Sequence, residues 1–305
     1  EKLKSGMAER DAAFDEFYKS HFKVSRAFES WEDMAKASRN EYDAVVVGSD
    51  QLWLPSNIMA DYYTLNWVPQ DVKKIAYATS FGIGSIPAKY SKIYSHYLKR
   101  INYLSARETS GQDIIKKLAG RDVQLVNDPA LLLDADGWNE VISNEPLIKE
   151  KYVFCYFMGN NPEQRGFVRR LANEKGLKVV ALLHLDQYIA TDEYYVDMAP
   201  WHVSPADFVN LVKNAECVCT DSFHGTVFSI IYSRPFFTFK RFNKKASLST
   251  NTRITSLLTR LELMDRLVLD MNSKQTFDID WNKIQSGVSE FRKASSEYLL
   301  NAIRA

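Results

Sequence analysis

Residues 220–226 read Thr-Asp-Ser-Phe-His-Gly-Thr, and three of them carry groups that can do chemistry: the Asp221 carboxylate, the Ser222 hydroxyl and the His224 imidazole. The short apolar stretch Cys217–Cys219 precedes them and an apolar, helix-forming stretch follows. This order predicts a strand, a tight turn and a helix N-terminus. In parallel α/β sheets, ligands bind at the carboxyl ends of strands, where helix N-termini direct N–H groups outward. Asp221 or Ser222 is the expected N-cap. Residues Asp221, Ser222, Gly225 and Thr226 would then be the substrate-binding residues of an anion-binding turn. A neutral imidazole at His224 can donate or accept a hydrogen bond and act as acid or base. The plainer alternative is a first-turn histidine bonded to a backbone group.

Three other polar clusters follow apolar runs. In Gly48-Ser49-Asp50-Gln51-Leu52-Trp53, Asp50 is a candidate general base or hydroxyl-binding carboxylate, or else an Asx-turn residue with Trp53 packed beneath it. In Ser80-Phe81-Gly82-Ile83-Gly84-Ser85, Ser80 offers a hydroxyl and Gly82 a close backbone approach. A Walker loop is excluded there, because no Gly-Lys-Ser/Thr follows. In Ser105-Ala106-Arg107-Glu108, the Arg107 guanidinium is suited to clamp a carboxylate or phosphate, or to form a structural ion pair. Lys240 and Arg241, after the run Pro235–Phe239, could add positive charge to such a site. His184 ends another apolar run and is a further cleft candidate, whereas Asp128-Pro129 reads as a turn.

The elements that must position these groups alternate in type. Strands are expected at 43–48, 74–80, 103–106, 123–126, 152–158, 178–184, 217–219 and 235–239, with helices between them. That is the grammar of parallel α/β sheets. A linker at 147–151 divides the chain. The expected domains are 1–149, Rossmann-like and on the acceptor side; 150–276, Rossmann-like and donor-binding; and 277–305, a C-terminal helix packing back across both. Two such halves imply a cleft between them. The basic stretch 240–251 is expected to be a mobile loop.

Composition narrows the function. Of 305 residues, 46% are hydrophobic and 25% charged, and the net charge is +1. Such a balance supplies no field to recruit nucleic acid. No apolar run reaches the ~18 residues of a membrane span. Three cysteines suit a reducing compartment, so a cytoplasmic location is expected, with all three cysteines in the core. No cofactor is called for, and no metal, because no cluster has ligand spacing. The chain opens at Glu1 inside a helical pattern, and a further N-terminal segment of the first domain is expected to precede it.

Taken together, these motifs resemble the polysaccharide pyruvyl transferase family. The resemblance rests on Val47–Trp53, Tyr77–Gly82, Ser105–Glu108, Asn127-Asp128-Pro129 and Thr220–Thr226, in the family's order, with Arg253 and Leu257-Leu258 matching a later element. It implies a fold like that of GT-B glycosyltransferases, two Rossmann-like domains facing across a cleft. It also implies transfer of a pyruvyl group from phosphoenolpyruvate to a sugar of an exopolysaccharide or cell-wall glycan, as a ketal. The partners would be phosphoenolpyruvate and a glycan or lipid-linked saccharide, at the periphery of a membrane glycan-assembly system. His224 would then be the acid or base, Arg107 a clamp on the donor, and Asp50 the group that binds or deprotonates the acceptor. Ser49, Ser80 and Gly82 would line the site. One departure stands out: the family's arginine two residues before the histidine is Ser222 here. The alternatives are a nucleotide-sugar-dependent GT-B glycosyltransferase and a non-catalytic glycan-binding module.

Overall fold

The computed structural model describes residues 2–184, 188–241 and 252–305, so residues 242–251 of the expected loop lie outside it. In chain order the elements are α1 (Lys2–His21), α2 (Trp31–Asn40), β1 (Ala44–Gly48), β2 (Lys73–Thr79), α3 (Ser91–Arg100), β3 (Tyr103–Ala106), α4 (Thr109–Ala119) and β4 (Gln124–Leu125). They continue with α5 (Ala135–Asn139), β5 (Tyr152–Tyr156), α6 (Pro162–Lys175), β6 (Lys178–Ala181), α7 (Asp192–Tyr195), α8 (Pro205–Asn214), β7 (Cys217–Thr220), α9 (Phe223–Ile231) and β8 (Phe236–Phe239). The last three are α10 (Thr252–Arg260), β9 (Leu267–Val268) and α11 (Trp281–Arg304). The chain folds into two units, each built on one sheet. Unit 1 comprises Glu1–Val24, Leu133–Phe242 and Glu262–Gln285; unit 2 comprises Ser25–Leu132, Asn243–Leu261 and Ser286–Ala305. Two Rossmann-like α/β units, each on its own parallel sheet, are present as the motifs imply.

In unit 2 the sheet order is β1-β2-β3-β4, with every pair parallel. Its core contains a cluster of aromatic rings. Trp53 is fully buried, 5.2 Å from Phe81 and 5.3 Å from Tyr97 between ring centroids. Its Nε1 donates to Tyr63 O at 2.9 Å, and Tyr94 OH donates to Trp53 O at 2.6 Å. The loop after β1 is therefore anchored from below.

A buried charge cluster sits at the carboxyl ends of the same strands. Arg107, after β3, donates to Asp128 Oδ2 at 2.5 Å and to Asp50 Oδ1 at 3.3 Å. Glu108 accepts from Ser80 Oγ at 2.7 Å and lies 3.8 Å from Arg107 Nε. Burial alone would lower the Arg107 guanidinium, but Asp128, Glu108 and Asp50 together lift it above its ordinary value. Burial pushes the Glu108 carboxyl up, and the opposing pull of Arg107 and Ser80 does not cancel that shift.

In unit 1 the order is β6-β5-β7-β8-β9, again all parallel. Both faces are covered, so the strands are apolar nearly throughout. One face carries Val153, Cys155, Cys217, Cys219, Phe237 and Phe239. Cys155, Cys217 and Cys219 are free thiols and buried, as a core reading requires. The helices carry local start and stop signals. Asn161 caps α6, Pro162 opens it, and Gly176 ends it with φ +65°. Ser204 and Asp207 form a capping box at α8. The expected N-terminal helix forms as α1, but Phe14 and Tyr18 on it and Phe22 just after it are each at least 50% exposed. No described helix is long and apolar enough to cross a membrane.

Two measurements test this packing. Trp53→Ala should cost roughly 3–5 kcal/mol, by cavity formation and loss of the Tyr63 bond; a thermal melt within 1–2 °C of wild type would contradict the anchoring described. For Glu108 the neutral form is favoured in the folded state. Its contribution is therefore complete below the ordinary glutamate value of about 4.3 and is lost as pH rises through the raised folded value. The melting temperature of wild type minus that of Glu108→Gln should fall steadily as pH rises from about 4 toward neutrality. A difference independent of pH would remove this linkage.

Candidate functional site

In unit 1, β5 is followed on one side by β6 and on the other by β7. The β5/β7 boundary is thus a topological switch point, where loops diverge and leave a crevice at the carboxyl edge. Four strand exits meet there through direct contacts. After β7, Asp221 Oδ1 accepts from Met158 N at 2.7 Å and Oδ2 from Gly159 N at 2.8 Å, in the loop that follows β5. After β6, His184 Nε2 donates to Gly159 O at 3.2 Å. After β8, Arg241 Nη2 donates to Asp221 O at 3.3 Å.

The turn between β7 and α9 is built as the spacing predicts, with Ser222 rather than Asp221 as N-cap. Its hydroxyl accepts from Gly225 N at 3.4 Å. Thr220 Oγ1 donates to Tyr156 O at 2.6 Å and accepts from Ser222 N at 3.0 Å. Position 225 must be glycine, because a Cβ there would stand 2.5 Å from the engaged Thr220 Oγ1. Thr226 is buried, its hydroxyl donating to Ser222 O and meeting Thr238, so the turn is rigid from beneath. His224 is half-buried in the first turn of α9, its ring edge-on to Phe223 at 5.4 Å. Lys240 and Arg241 are half-buried too, and the Lys240 carbonyl accepts from Gln164.

In unit 2 the candidates gather around Asp50, whose φ of 57° puts it in the left-handed region that aspartate tolerates. The Asp50 side chain is 57% exposed, while the two arginines bound to its Oδ1 are buried: Arg107 at 3.3 Å and Arg253 at 3.2 Å. Ser49 Oγ donates to Asp128 Oδ2 at 2.8 Å. Ser80 is buried, and its hydroxyl accepts from Gly82 N at 3.0 Å in a turn where Gly82 has φ +68°. The candidates therefore form two groups. Asp221, Ser222, His224, Gly225, Thr226, Lys240 and Arg241 share the carboxyl edge of unit 1. Ser49, Asp50, Ser80, Gly82 and Arg107 share that of unit 2.

Gly159 was not singled out in the sequence, although a glycine just after an apolar strand is a signal of close approach. Glu108 and Asp128 belong to the unit 2 cluster, and Asp128 also makes the expected turn, its Oδ1 accepting from Ala130 N at 3.0 Å. Arg253 joins them from α10. Among the described residues no group of three or more histidine, cysteine, aspartate or glutamate side chains is placed to hold a metal ion.

The profile of the polysaccharide pyruvyl transferase family matches residues 8–241. No curated protein matches. Similar solved structures include a UDP-N-acetylglucosamine 2-epimerase from Rickettsia bellii, 15% identical over 98% of this chain and 87% of that one, with a TM-score of 0.45. Another is UDP-GlcNAc 2-epimerase from Neisseria meningitidis bound to UDP-GlcNAc, 12% identical over 92% and 84%, with a TM-score of 0.45. A third is MnaA of S. aureus with UDP, 13% identical over 88% and 72%, with a TM-score of 0.48. These findings correct the expected activity. Two of these structures are named as UDP-GlcNAc 2-epimerases and the third holds UDP, so phosphoenolpyruvate as donor, the pyruvyl ketal as product and the label of pyruvyl transferase as this chain's own activity are withdrawn. The physical reason lies in the turn itself: where an arginine would bind phosphoenolpyruvate, the Ser222 hydroxyl is used to cap α9. Family membership is a separate matter, decided by the match over most of the sequence: the chain belongs to the polysaccharide pyruvyl transferase family.

Proposed function

We propose that this chain is a glycan-assembly enzyme that uses a nucleotide-sugar, with the diphosphate held in unit 1 and the sugar passed to a glycan hydroxyl. One observation carries the reading. At the unit 1 switch point, four strand exits interlock around the N-terminus of α9, with Arg241 and two histidines among them. A helix N-terminus beside a guanidinium suits a diphosphate, the first through backbone dipoles and the second through forked donors. Loss of a nucleoside diphosphate needs charge stabilisation at the leaving phosphate, which these groups supply without a side-chain nucleophile. His224, half-buried in the first turn, is the acid or base of the step. In unit 2 we assign the exposed Asp50 carboxylate, steadied by two arginines, to a sugar hydroxyl. The three buried free thiols support a cytoplasmic location.

UDP and UDP-GlcNAc, the ligands named with the similar structures, are the probes. Either should raise the melting temperature of the wild-type protein, in proportion to the logarithm of ligand concentration above Kd. Arg241→Ala should weaken UDP binding about tenfold, the loss expected for one charge-assisted contact. His224→Ala should leave UDP affinity within about threefold while lowering sugar-donor turnover by a factor of ~100 or more. No stabilisation of wild type by UDP or UDP-GlcNAc would refute the reading.

A further inference from the structure

We infer that Asp221 is a positioning residue: its carboxylate holds the loop after β5 and the Arg241 guanidinium in place for the ligand and does not itself touch it. The inference rests on the nucleotide reading of unit 1. It differs from the sequence expectation, in which Asp221 was a binding residue of the turn.

Four observations converge. First, the Asp221 side chain is 0% exposed, and each of its oxygens accepts a backbone N–H, from Met158 and from Gly159. Second, Arg241 meets the same residue twice, with Nη2 donating to the Asp221 carbonyl at 3.3 Å and Nε lying 3.8 Å from Oδ1. Third, a Cβ on Gly159 would stand 2.9 Å from Asp221 Oδ2 and 3.3 Å from Arg241 Cγ. The Arg241 stem therefore lies over the peptide that Asp221 grips, and only glycine leaves room for both. Fourth, His184 donates to the carbonyl of Gly159 while Asp221 accepts from its N–H. The Gly159 residue is thus held at both its polar atoms.

The electrostatics favour this division of labour. An exposed carboxylate beside a diphosphate would repel it. Turned inward on two amides, the charge of Asp221 is satisfied by N–H dipoles while its Oδ1 stays 3.8 Å from the Arg241 Nε that it steers. Both amide donors are 62–63 positions away in sequence, so the carboxylate also ties the exit of β5 to that of β7.

A double-mutant cycle read by UDP titration tests the inference. Asp221→Asn keeps the shape but puts an NH2 group against one of the two amide donors. Alone it should weaken UDP binding about tenfold, as should Arg241→Ala; together they should be no more than about twofold worse than Arg241→Ala, because the first acts through the second. Gly159→Ala, which displaces the same stem, should show the same non-additivity and serves if Asp221→Asn does not fold. Losses that multiply, or an Asp221→Asn protein that binds UDP as wild type does, would overturn the inference. Amide exchange separates it from the nucleotide reading. If wild type binds no UDP, that reading fails, and faster exchange at Met158 and Gly159 in Asp221→Asn, with β5 still protected, upholds the positioning role. Unchanged exchange at those two amides overturns it.

Discussion

A buried carboxylate answered by two backbone amides is the contact on which the unit 1 site depends. Loops at a sheet's carboxyl edge have few partners of their own, and a free loop after β5 would sample many conformations at an entropic cost of about 1–2 kcal/mol per ordered residue. Asp221 removes that freedom from a distance. It sits at the end of β7, where the parallel ladder with β5 already fixes the backbone, and it transfers that fixity to Met158 and Gly159. Ser222, the next residue, caps α9, so one turn organises both the adjoining loop and the helix. The side chains that face solvent there inherit their geometry from groups that do not.

Unit 2 reaches a similar end with opposite charges. There the buried group is cationic: Arg107 is held by Asp128 within hydrogen-bond distance and shares Asp50 with Arg253. Removing either member of a buried pair strands the other, typically at a cost of 3–5 kcal/mol. The arrangement therefore specifies one local geometry more than it adds net stability. Its product is a carboxylate, Asp50, that reaches solvent on a backbone turned into the left-handed region. Two units with the same strand-helix grammar have thus placed unlike chemistry at their strand ends.

What the sequence discloses and what it hides follow from the range of the interactions. Runs such as Ala-Val-Val-Val-Gly and Tyr-Val-Phe-Cys-Tyr are legible because strand formation is written in neighbouring residues. So is the Ser222 cap, whose partner is three residues on. The two-residue β9 at Leu267–Val268 is too short for periodicity to mark. Asp128 is legible as a turn, which it makes through Ala130, but its partners Ser49 and Arg107 lie 79 and 21 positions away and are not. Arg253 is 203 positions from Asp50, and nothing in its neighbours announces the contact. The donor was misread for a related reason: a motif conveys kinship, not which anion fits a turn that carries Ser222 where the resemblance leads one to expect arginine.

The core of unit 1 holds one more consequence, for how the protein can be handled. All of its cysteines, at 155, 217 and 219, lie on β5 and β7 with no exposed surface. Burial pushes the Cys155 and Cys219 thiols well up, away from the thiolate that alkylating reagents and oxidants attack. The folded chain is therefore silent toward thiol reagents. A single cysteine placed on its surface would be a unique handle for a dye, a spin label or a cross-linker, with no native residue to replace first.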